Sequence, residues 1–109
     1  MKVKNSVSLV GNVGADISVQ LSQSGVKVGS FSMAVSEKYH TQSGEAKERV
    51  DWFKVVCFGE YNNALSKLAL KGNQVIVHGS LRTRSYQDKA EVTHYVVEIL
   101  LEQLFLLNK

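Results

Sequence analysis

Three stretches of the chain set flat rings beside cations, and two of them do so at a spacing of two residues. In VDWFKVVCFGE, residues 50 to 60, strand alternation puts Trp52, Lys54, Val56 and Phe58 on one face and Asp51, Phe53, Val55 and Cys57 on the other. Trp52 is the single tryptophan of the chain. A core face has no use for Lys54, and an ordinary solvent face has no use for Trp52 and Phe58. In LRTRSYQD, Arg82, Arg84 and Tyr86 repeat the same period, as one face of a hairpin arm would. In SEKYH, Tyr39 follows Lys38. Rings stack on splayed bases and cations track phosphates, so this pattern suits a protein that holds single-stranded nucleic acid without reading its sequence. A lone tyrosine on a strand is more often a packing residue. The weight lies in the joint recurrence. Duplex readout would want a basic helix for the major groove, and the one helix in this sequence looks structural.

Catalytic chemistry finds little to work with. His40, His78 and His94 are scattered, with no HxH or HExxH spacing. Cys57 has no second cysteine, which excludes an internal disulfide and a zinc knuckle and leaves a small buried core residue as its expected role. GNVG lacks the Lys-Ser/Thr of a phosphate loop. No enzyme, metal or cofactor is expected. The net charge of +3 is a weak pointer to a polyanionic partner, and the placement of the cations beside rings is the stronger one. No run of 18 apolar residues offers a membrane span. MKVKNSVSLVGN has no signal-peptide apolar region, so the cytoplasm is the expected compartment.

The elements that would position these residues follow from periodicity. Residues 3–13 read as a first strand that resumes through Ile17, Val19 and Leu21, with Gly11 and Gly14 marking a bend. A turn is expected at 22–25 and a second strand at 26–36. A polar loop follows over 37–49, then a third strand over 50–58. The period then changes: Tyr61, Ala64, Leu65 and Leu68 trace one stripe of a helix, with Lys67 and Lys71 in its last turn and Gly72 to end it. Strands at 75–81 and from 92 to 101 or beyond flank a polar tip at 82–91. The whole chain, 1–109, reads as one domain of order β-β-β-α-β-β. The expected fold is all-β with one helix, a five-stranded Greek-key barrel of the OB type. An open α+β sheet is the alternative, and the bend glycines favour the barrel.

NSVSLVGNVGAD, SFSMAVSEKY, VDWFKVVCFGE and KGNQVIVHGSLRTRSYQD occur in the order and at the spacing of the bacterial single-stranded DNA-binding proteins. The chain resembles that family over nearly its whole length. The resemblance implies an OB fold, sequence-independent binding of single-stranded DNA in replication, recombination and repair, and a homotetramer. It places the family's stacking rings on Tyr39, Trp52, Phe58 and Tyr86, and its cations on Lys54, Arg82 and Arg84. Tyr39 and Tyr86 stand where the family often has tryptophan, and Lys54 where it usually has arginine. Phe53 stands where many members have histidine, on a face linked to subunit packing. The family usually continues into a glycine-rich linker and an acidic tip that docks partners, whereas this sequence stops at LFLLNK; either that tail is cut off here or the natural protein lacks it, which puts tail-mediated recruitment in doubt. EILLEQLFLLNK is more apolar than one edge strand needs, which suggests core for some of its residues and an inter-subunit interface for others. The other reading on the same fold is a dimeric adaptor like the primosomal replication proteins, binding single strands and a replication-restart partner. A bacterial, phage or mobile-element origin fits either.

Overall fold

The computed structural model describes residues 4–107 as six strands and one helix. They are β1 (Val7–Val13), β2 (Ser18–Leu21), β3 (Lys27–His40), β4 (Ala46–Phe58), α1 (Tyr61–Leu68), β5 (Gln74–Gln87) and β6 (Thr93–Leu106). The sheet order is β1-β5-β6-β4-β3-β2, and a further β1–β3 pairing closes it. β1 and β2 are two pieces of one interrupted strand: β1 pairs first with β5, then with β3 at Asn12↔Ala34 and Val13↔Met33, and β2 continues along β3. The result is a closed five-stranded mixed barrel with one helix, the OB fold. Its parallel seam is short, Val55↔Ile99 and Val56↔Leu100 between β4 and β6.

The handover of β1 from β5 to β3 depends on close approach. A Cβ at Gly11 would run into the Ala34 carbonyl, and one at Gly14 would stand 2.6 Å from Cζ3 of Trp52. The bend expected at these glycines is therefore a strand switch, and it also seats the Trp52 ring. Inside the barrel Val13, Phe31, Met33, Val55, Cys57, Leu65, Val75, Val77, Ile99, Leu101 and Leu104 form one core cluster. Cys57 lies within it as expected, and burial pushes its thiol pKa up. In the terminal apolar run Ile99, Leu101 and Leu104 are buried, as expected of its core part, while Phe105, Leu106 and Leu107 are exposed.

Several expected boundaries move. The predicted loop at 37–49 is mostly paired strand: β3 and β4 run in register from Val28↔Phe58 out to His40↔Ala46. The tip at 82–91 likewise pairs from Arg82↔Glu98 to Gln87↔Thr93. Both segments are polar because they leave the barrel as two-stranded arms with water on both faces, so no apolar alternation marks them. Residue 3, the expected start of the first strand, lies outside the described residues. α1 is also rotated from its expected stripe. It buries Asn62 and Leu65, leaving Tyr61 and Ala64 exposed. Asn62 Nδ2 donates to the carbonyls of Lys27, Cys57 and Gly59, which ties the start of β3 and the end of β4 to the helix. Lys71 and Gly72 lie beyond the helix: the Lys71 N–H donates to Asp16 Oδ1 (2.8 Å), and Gly72, at φ 88°, turns the chain toward β5.

Candidate nucleic-acid interface

The outward phase of β4 carries Trp52, Lys54 and Phe58, as alternation predicted, while Phe53, Val55 and Cys57 face the core. Trp52 is 62% exposed and Phe58 43% exposed, values that no core ring would show. Val56, on the same face, is buried as the floor between them. Lys54 is exposed and has no ion-pair partner among the described residues. Arg82 comes from β5 and lies over the Phe58 ring, 5.1 Å from its centroid.

Lys54, Phe58, Arg82 and Arg84 share one groove of about 290 Å³. Its other walls are Ser18 and Gln20 of β2, Val28 and Ser30 of β3, and Glu98 of β6. The groove therefore crosses neighbouring strands on the barrel's outer wall. A second hollow of about 260 Å³ lies between Trp52, Phe53, Lys54, Leu81 and Val97, so Lys54 borders both. Rings and cations from sequence positions far apart converge here because β4 and β5 both pack beside β6.

Glu98 is the residue that sequence reasoning missed. It lies in β6 at 2% exposure. Arg82 Nη2 donates to its Oε2 (2.8 Å) and Arg84 Nε donates to its Oε1 (3.0 Å). Burial alone would raise the Glu98 pKa, but the bonds and charges of the two arginines outweigh it and hold the carboxyl below the ordinary glutamate value. The available signal was one carboxylate inside the apolar run VVEILL, in a chain with two arginines awaiting a register.

The two tyrosines stand apart from the groove. Tyr86 is on the β5–β6 arm, 50% exposed, in phase with Arg82 and Arg84 as the spacing predicted. Its ring stacks on that of His94 at 5.1 Å, with 21° between planes. His94 Nε2–H donates to Asp88 Oδ2 (2.7 Å), and that bond, with others from the Val92 and Ala90 N–H groups, keeps the Asp88 carboxyl below its usual range. Tyr39 is on the β3–β4 arm, 45% exposed, opposite Lys47. By register it is in phase with Val35 and Asp51 and out of phase with Trp52, so it lies on the other side of its ribbon. The structure thus brings together five of the seven candidates, Trp52, Lys54, Phe58, Arg82 and Arg84, and leaves one ring on each arm.

Among the described residues no group of three or more His, Cys, Asp or Glu side chains is placed to hold a metal ion. No helix among them is long and apolar enough to cross a membrane. Comparison with known proteins agrees with the geometry. A solved structure described as Plasmodium falciparum SSB complex with ssDNA matches with a TM-score of 0.88 at 29% identity, over 99% of this chain and 98% of that one. The model of the single-strand binding protein family matches residues 4–107. The chain, with its closed barrel and its ring-and-cation wall, belongs to the single-strand binding protein family.

Proposed function

We propose that this chain binds single-stranded DNA without regard to sequence, by stacking bases on Trp52 and Phe58 and by contacting phosphates through Lys54 and Arg84. The face that carries this reading sets Phe58 beside Lys54, Arg82 and Arg84 in one groove, with Trp52 in the adjoining hollow across Lys54. The family match and the DNA complex of the similar structure support it. The wall formed by the second and third barrel strands, here β3 and β4, is also where OB folds take up oligonucleotides. Tyr39 and Tyr86 extend the path along the two arms. Ring stacking and phosphate contact do not depend on which base is present, which is the physical basis for tolerance of sequence.

The role that goes with this activity is coating exposed strands during replication, recombination and repair, in the cytoplasm and as a homotetramer. An exposed apolar row supports assembly. Val10, Ile76 and Phe105 are register partners across β1, β5 and β6, and Val10 and Phe105 are 48% and 54% exposed. The test of the binding reading is a titration with oligo-dT that follows the fluorescence of Trp52. Quenching that saturates at a fixed nucleotide count is expected, and an unchanged signal at low salt with no complex by any other readout would remove the proposal.

A further inference from the structure

A buried carboxylate on a face meant for a polyanion is an oddity. Glu98 is the one buried charged residue among the described residues. Taking a carboxylate out of water is costly, and an apolar side chain could fill the same place in a barrel wall. Its negative charge also opposes the phosphates that the groove would receive. The geometry shows what it does instead. Each carboxylate oxygen takes one guanidinium, Arg82 on Oε2 and Arg84 on Oε1. Arg82, held through Nη2, lies over the Phe58 ring, with its Nε buried and unpartnered. Nothing else among the described residues bonds the Arg82 side chain. Arg84 commits only its Nε, so its two terminal nitrogens remain for a ligand in the groove.

We infer that Glu98 is a positioning residue for single-strand binding, which holds Arg82 over the Phe58 ring and fixes Arg84 at the groove. The inference rests on the reading of the groove as a DNA site. Glu98 sacrifices one unit of attraction and gains order in two long side chains. An arginine immobilised before the strand arrives loses less freedom on binding than a mobile one. Clamped, Arg82 becomes part of the Phe58 platform, and Arg84 meets the phosphate as a fork in fixed orientation.

Charge and position make opposite predictions, and this makes the idea testable. Glu98→Gln adds one unit of positive charge to the face. If Glu98 acted only through its charge, the variant would bind oligo-dT more tightly. If Glu98 positions the arginines, the variant binds about tenfold more weakly despite the gain in charge. Glu98→Asp keeps the charge but withdraws the carboxylate by one methylene, and the same direction of loss is expected. The fluorescence titration is run on the full chain for wild type, both variants, Arg82→Ala with Arg84→Ala, and that double variant carrying Glu98→Gln. In the arginine-free background Glu98→Gln should cause no further loss, and removal of its charge should if anything tighten binding. Equal or tighter binding by a folded Glu98→Gln variant would overturn the inference, as would a loss that persists undiminished without the arginines. Should Glu98→Gln not fold, Glu98→Asp decides alone, with wild-type affinity as the overturning result. Failure of the wild type itself to bind would instead remove the DNA reading beneath it.

Discussion

At the residue scale the site separates stacking from charge. Trp52 stands against Gly14 with most of its ring open to solvent, the arrangement a base platform needs. Replacing it by alanine should cost about 1–3 kcal/mol of oligo-dT affinity. Tyr39→Ala should cost less, because its ring is out of phase with the groove wall; equal losses in paired titrations would displace Trp52 from the centre of the site. Gly14→Ala should weaken binding although it replaces no ring or cation, since the new methyl would stand 2.6 Å from Trp52 Cζ3 and force the ring to move. The check is a changed Trp52 emission together with the lost affinity. Lys54 is a different kind of contributor. It has no protein partner to release, so Lys54→Gln should flatten the plot of log affinity against log salt by about 0.7. A salt slope identical to wild type would mean that Lys54 never meets a phosphate.

At the element scale the arms and the clamp matter most. Alternation in β4 makes Trp52, Lys54 and Phe58 legible from residue order alone, because one face of that strand is apolar enough to set the phase. Arg82, Arg84 and Tyr86 are legible for the same reason of period. The arms themselves are not. Glu37 to Lys38 and Lys47 to Arg49 show only polar residues, and a ribbon wet on both sides leaves no periodic trace. Glu98 is illegible for another reason: its partners lie 16 and 14 residues away and become neighbours only once β5 and β6 pair in register. This clamp ties the two strands together with an acid-sensitive link. A carboxyl whose folded pKa is depressed contributes stability that is fully present above its unfolded value, ordinarily 4.5, and is lost as pH falls through the folded value. The melting temperature should therefore decline below about pH 4.5. Asp88, depressed by its bond to His94, adds to the decline in the same direction at the arm tip. In Glu98→Gln the steepness of the decline should diminish, as thermal melts across pH would show.

At the scale of the whole molecule the shape is that of a small barrel with two outriggers. The Cα radius of gyration is 16.1 Å, against about 13 Å for a compact chain of this length, and the excess comes from the two hairpin arms. On the proposed reading, their rings, Tyr39 and Tyr86, would extend the reach of a bound strand beyond the 290 Å³ groove. The outer face of β1, β5 and β6 presents Val10, Ile76 and Phe105, an apolar row suited to assembly. Light scattering should report a tetramer for the wild type, and Val10→Lys with Phe105→Lys should dissociate it while the barrel stays folded. A dimer for the wild type would favour the adaptor-like assembly over the tetrameric one.

The way the barrel is closed also sets the order of events when the chain folds. Each arm is a hairpin whose strands are joined by a short turn, and hairpins form in about 1–10 μs. Closure is different: β1 must find β5, bringing Ser8 to His78 across 70 residues, and the β4–β6 seam holds by only two register pairs. Such distant pairings come late and slowly. The ring-bearing ribbons would thus exist before the wall that joins them, and a newly made chain would carry its stacking surface in two separate pieces until the last strand docks.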